Sequence, residues 1–151
     1  WSSIPTDDEL LRTHLFGVNR VAFPSKLVGE LRSLQGNECF YCGDRLGNRC
    51  EVDHFIAWSR WQNDAVENLV LADRCNSAKS DHLAASQHLA RWRARVELRA
   101  GDLAGVANLC GWESANGRTW ALARSTYEHV APDTPLWVRG KEFELAPGSV
   151  W

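Results

Sequence analysis

Inside the run VDHFIAW, residues 52–58, an acid and a histidine interrupt a stretch of apolar side chains. Val52, Phe55, Ile56, Ala57 and Trp58 read as buried chain, so Asp53 and His54 must share their surroundings. An ionisable pair is costly to bury without a partner or a task. Neighbours on an ideal strand face opposite ways. The two side chains can therefore serve one site only where a strand ends or kinks.

The residues downstream extend this pattern. Residues 50–56 suit a strand, Ser59 to Glu67 a polar loop, Leu69-Val70-Leu71 a second short strand, and Asn76 to Leu83 a helix. Polar residues recur along this stretch in the order Asp53, His54, Asn68, Asn76, Lys79. Each has an ordinary reading by itself: a buried hydrogen-bonded pair, a turn residue, a helix cap. Their occurrence together, in this order, favours a functional one. The segments VDHFIAWS, ENLVLA and CNSAKSD resemble the HNH endonuclease family with its ββα-metal finger, in a DH…N…N…K variant, over about residues 37–84.

That resemblance implies hydrolysis of a nucleic-acid phosphodiester with one divalent cation, Mg²⁺ or Mn²⁺. A hard cation takes oxygen ligands and keeps several waters. Asp53 and the side-chain carbonyl of Asn76 are the implied metal ligands, and His54 is the implied general base, an imidazole that accepts a proton from water. Asn68 is implied to tie the loop to the strand and hold the His54 backbone. Lys79, one turn after Asn76, is expected to reach a phosphate oxygen. Arg60 and Arg74 flank the motif as further backbone contacts, and Trp61 is the expected base contact. Double-stranded DNA is the expected partner.

Many members of the family carry two Cys-x-x-Cys pairs on a structural zinc. Here Cys39 and Cys42 make the first pair, while the second is reduced to Cys75, with Ala72 where its mate would stand. Structural zinc prefers four protein ligands. Asp73, Cys50, His82 or water are the candidates for the fourth position. The other reading is a finger held by packing of Phe40, Tyr41, Trp58 and Trp61, with the thiols bare.

The rest of the 151 residues reads as a brace around the finger. The expected fold is α+β: a small ββα finger at 37–84 in a mostly helical single domain, with helices in 1–36 and a helical region closed by a hairpin in 85–151. Thr6-Asp7-Asp8-Glu9 is a capping box for a first helix, and Leu27, Leu31 and Leu34 stripe a second. Leu83–Arg99 and Arg118–Val130 suit two more, with Gly101 as a stop. Leu136-Trp137-Val138 and Phe143-Glu144-Leu145 suit the hairpin. Arg91, Arg95 and Arg99 form one helical stripe, expected as a solvated face opposite Leu89, Trp92 and Val96. Trp92, Trp112, Trp120 and Trp137 are expected to pack.

A net charge of −2 excludes a global positive field, so nucleic-acid contact must come from local patches. All but three of the 17 basic residues are arginine. An odd count of five cysteines argues against a secreted disulfide framework and for a cytoplasmic protein. No apolar run is long enough to span a membrane. A chain with no Met that begins at Trp1 is expected to be a fragment or processed form, joined to other domains. The leading expectation is an HNH endonuclease or nickase domain. The rivals are a binding module without turnover and an effector domain silent without its sensor.

Overall fold

The computed structural model describes residues 22–151. The helix expected after Thr6 lies outside the described residues. The described chain is α+β, with the element order α1 (Ser25–Leu34), β1 (Glu51–His54), a 3-10 turn (Val66–Asn68), β2 (Leu69–Ala72), α2 (Arg74–Lys79), α3 (Ser86–Leu98), α4 (Ala100–Cys110), α5 (Asn116–Glu128), β3 (Pro135–Arg139) and β4 (Glu142–Leu145).

Pro24 precedes α1, where its fixed φ and missing N–H cost nothing, and Leu27 and Leu31 form the helix's buried stripe. Gly36 and Asn37 both take positive φ and end it. The chain then turns through a knuckle closed by Cys39 N–H to Asp44 O at 2.8 Å and Gly43 N–H to Cys39 O at 3.0 Å. β1 and β2 pair antiparallel, with Asp53 opposite Val70 and His54 opposite Leu69. All four residues of β2 are buried, which explains its uninterrupted apolar sequence. α2 follows directly and completes a ββα unit.

Four helices and a hairpin brace this unit. The Trp92 ring on α3 stacks on Phe55 at 5.1 Å, and its indole N–H donates to Glu67 O at 2.9 Å. The hairpin β3–β4 docks through β3: Trp137 N–H donates to Leu83 O and Ala85 N–H to Trp137 O, both at 2.8 Å. The expected helix start at Leu83 is thus corrected, because residues 83–85 bond to β3. α2 is also shorter than expected and stops at Lys79. Gly101 does not stop the helical region. It lies in the first turn of α4, and the break between α3 and α4 is made by Arg99, at φ −114° and ψ 21°.

The arginine stripe on α3 is a solvated face only in part. Arg91 and Arg99 are exposed and Arg95 is half-buried, and Arg99 pairs with Asp102 at 2.6 Å, but Arg91 and Arg95 turn to the finger. Arg91 donates to Phe40 O at 2.8 Å and Tyr41 O at 2.9 Å, and Arg95 to Leu69 O at 2.8 Å. These guanidinium groups flank the apolar stripe and reach over it to satisfy carbonyls of the finger. Burial pulls the Arg95 pKa down to about 10, against the pull of nearby Glu67. Glu67 is itself buried, accepting Ser114 O–H at 2.6 Å and Ala115 N–H at 3.0 Å. It places a carboxylate where α5 begins, the end of a helix that favours negative charge.

Candidate active site on the finger

β1 ends at His54, and this termination lets consecutive residues serve one site. Asp53, His54 and Asn76 together line a cleft of about 260 Å³, joined there by Trp58, Ser77, Ser80 and Asp81. The chain after His54 is held by the opposite side of the loop. Phe55 N–H donates to Asn68 O at 2.8 Å, and Ile56 N–H to the Asn68 side-chain oxygen at 2.9 Å. The Asn68 amide then donates to Ile56 O at 3.1 Å and Asn63 O at 3.0 Å. One fully buried Asn fastens both arms of the loop.

Asp53 is buried, and its partners explain why that is tolerated. The Tyr41 hydroxyl donates to Oδ2, and Lys79 Nζ lies 3.2 Å from the same oxygen. Burial and the Asp53 charge push the Tyr41 phenol well above its ordinary range, so it remains a donor. Both partners use Oδ2, which leaves Oδ1 as the carboxylate oxygen available to a cation. Asn76 is oriented by a residue the sequence pattern did not single out. Its Nδ2 donates to Glu51 Oε2 at 2.7 Å. A carboxylate only accepts, so the amide must present its nitrogen there, and its carbonyl oxygen is the atom left for a ligand. One carboxylate oxygen and one amide oxygen suit a hard divalent ion. The donor set fits Mg²⁺ or Mn²⁺.

The imidazole of His54 also has a carboxylate beside it. Asp64 Oδ1 lies 2.7 Å from Nε2. The ring is walled by Trp58 at 5.5 Å and Phe23 at 5.9 Å between centroids.

Lys79 is a correction. It is 0% exposed and spends its ammonium on Asp53 and on His54 O, at 3.1 Å. α2 presents Lys79 to the interior and Asn76 to the cleft, so Lys79 braces the strand end and is not placed to meet a phosphate. Trp61 is 47% exposed but does not line the cleft; its indole donates to Thr126 Oγ1 at 3.2 Å. Trp58 is the aromatic ring at the site. Arg60 is exposed near the rim and donates through Nε to Asp81 O at 3.0 Å. Arg74 is exposed at the start of α2.

Glu51 was legible as the residue two before Asp53 on one strand, hence on the same face. Asp64 had no such signal. It lies in an irregular loop whose closure depends on Asn63 and Asn68.

The thiols of Cys39, Cys42 and Cys75 lie within 4.8 Å of one another. Zn–S bonds of about 2.3 Å place sulfurs about 3.8 Å apart, so modest contraction would seat an ion. Burial opposes a thiolate at Cys39, but amide N–H groups of Cys42, Asp73 and Tyr41 outweigh it and lower its pKa. Of the fourth-ligand candidates, Cys50 accepts from Arg32 at 3.5 Å, and His82 sits near Lys79 O and the Phe143 ring. Asp73 offers its amide to Cys39. None joins the three thiols among the described residues.

Two antiparallel strands and a short helix, with an Asp-His pair at the strand end and an Asn on the helix, define a ββα nuclease-type finger. Residues 39–85, about a third of the chain, match the family model of HNH endonucleases, which supports that family for this segment. No curated protein matches the chain. HNH nucleases act on nucleic acids and generally use a divalent metal. Among the described residues no helix is long and apolar enough to cross a membrane.

Proposed function

We propose that this finger is a metal-dependent endonuclease or nickase centre that hydrolyses phosphodiester bonds of double-stranded DNA. The observation that carries the reading is the meeting of Asp53, His54 and Asn76 in one cleft at the end of β1. Asp53 Oδ1 and the Asn76 carbonyl would hold one Mg²⁺ or Mn²⁺. When bound, that ion supplies stabilisation of the charge that develops on the phosphate.

The chain's own residues do the rest. His54 accepts a proton from the attacking water, which adds to phosphorus as the 3′ oxygen departs. Tyr41 and Lys79 hold the Asp53 carboxylate, Glu51 holds the Asn76 amide, and Asn68 holds the loop. Arg60 and Arg74 are exposed cations for the DNA backbone. Cys39, Cys42 and Cys75 bind a structural zinc that ties the knuckle to α2.

The test is a supercoiled plasmid incubated with Mg²⁺ or Mn²⁺. The parent chain nicks it; His54→Ala loses at least a hundredfold in rate, about the contribution of general base catalysis, while retaining its DNA mobility shift. A parent chain that shifts DNA without cutting it in either ion is a binding module, and the nuclease reading is then wrong.

A further inference from the structure

We infer that Asp64 is a positioning residue for His54, fixing which ring nitrogen carries the hydrogen; this rests on His54 being the base. The Asp64 carboxylate oxygen lies 2.7 Å from His54 Nε2. An ionised carboxylate only accepts, so the hydrogen resides on Nε2, and the basic lone pair of the neutral ring lies on Nδ1. When water transfers a proton to Nδ1, its O–H bond breaks and the ring becomes an imidazolium with Asp64 beside it. The resulting hydroxide bonds phosphorus as the P–O3′ bond breaks and its electron pair leaves on the 3′ oxygen. A carboxylate in that position selects the tautomer, orients the ring and stabilises the cation.

The molecule holds Asp64 at this spot from several directions. Its carbonyl accepts the Trp112 indole N–H at 2.7 Å, from beyond the end of α4. Its neighbour Asn63 donates to Thr119 Oγ1 on α5 at 3.1 Å and accepts Ala65 N–H at 3.0 Å. Asn68 bonds Ile56 on one arm of the loop and Asn63 on the other, so it sets the span between His54 and Asp64. The carboxylate itself is 34% exposed, and none of these bonds uses it. Removing it deletes the contact to the imidazole and leaves the scaffold standing.

The experiment uses the full chain with ¹⁵N-labelled histidine, free of metal, together with Asp64→Ala, Asp64→Leu and Asp64→Glu. The parent shows a downfield, exchange-protected ring proton on Nε2 of His54. Asp64→Ala and Asp64→Leu lose that proton signal while keeping the parent's circular dichroism. In plasmid nicking both fall about tenfold to a hundredfold in kcat with KM little changed, and Asp64→Glu recovers part of the rate. A parent spectrum with the hydrogen on Nδ1 overturns the inference, as does a protected Nε2 proton surviving in both Asp64→Ala and Asp64→Leu. If the parent fails to cut DNA, the nuclease reading falls by itself, and the spectra still decide whether Asp64 sets the ring.

Discussion

At the scale of single residues, the buried Lys79 shows how the site is stabilised. Its ammonium neutralises Asp53 and bonds the carbonyl of His54, so one side chain pins both residues at the strand end. Lys79→Met should cost about 3–5 kcal/mol in a urea or guanidinium titration, because it leaves the Asp53 charge buried with only the Tyr41 hydroxyl. A loss below about 1 kcal/mol would show that Asp53 is solvated in other ways. Ser80, which follows α2 and lines the cleft, holds φ at +53°, a region that favours glycine. Ser80→Gly should stabilise the fold by about 1 kcal/mol, read as a higher melting temperature. An unchanged or lower melting temperature would mean that the hydroxyl contributes more than the backbone strain costs. The order Asp53, His54, Asn68, Asn76 was legible before the fold, because it follows a strand, loop, strand and helix along the chain. The inward direction of Lys79 was not: helical spacing places it one turn from Asn76, and only packing decides which of the two faces solvent.

At the scale of elements, α3 is the clasp between the finger and the hairpin. His88 donates through Nε2 to Val138 O at 2.7 Å and accepts Arg91 Nη2 at Nδ1, 2.9 Å away. A carbonyl only accepts and a guanidinium only donates, so this ring is neutral with its hydrogen on Nε2. Burial, reinforced by the Arg91 charge, lowers its pKa despite the bond to Val138. A folded pKa below the unfolded one means that the stabilisation is present above the ordinary imidazole value, about 6.5, and is lost as pH falls through the depressed value. The melting temperature should therefore fall as pH drops below about 6.5, and His88→Gln should flatten that limb. Identical pH profiles for parent and variant would remove His88 from the account. The helical period placed Leu89, Trp92 and Val96 on the buried face. It could not reveal that Arg91 and Arg95 bend over to carbonyls of the finger, because those acceptors come from residues 40, 41 and 69.

At the scale of the whole molecule, the knuckle and α2 meet at the three thiols, and Lys79 Nζ of α2 also lies over the Tyr41 ring, 5.8 Å from its centroid. The chain should take up one equivalent of Zn²⁺, measured by release to a chromogenic chelator after thiol modification. Removing the ion should lower the melting temperature by several degrees, since metal binding to the native state adds directly to its stability. Cys75→Ser should abolish uptake. Stoichiometric uptake surviving in Cys75→Ser would place the ion elsewhere. What the amino-acid order determined by itself was the finger's local pattern: two short strands, a loop, a helix start, and an Asp-His-Asn set ordered along residues 53–76. Such a unit is written locally, in hydrophobic period and turn chemistry, so it can be read without coordinates. Tertiary structure alone decided the shell around it. Asp64 reaches His54, Glu51 reaches Asn76, and Arg95 reaches β2 through contacts that depend on how loops close and helices dock. Burial period says that a side chain is inside, but the partner it meets there comes from a distant part of the chain.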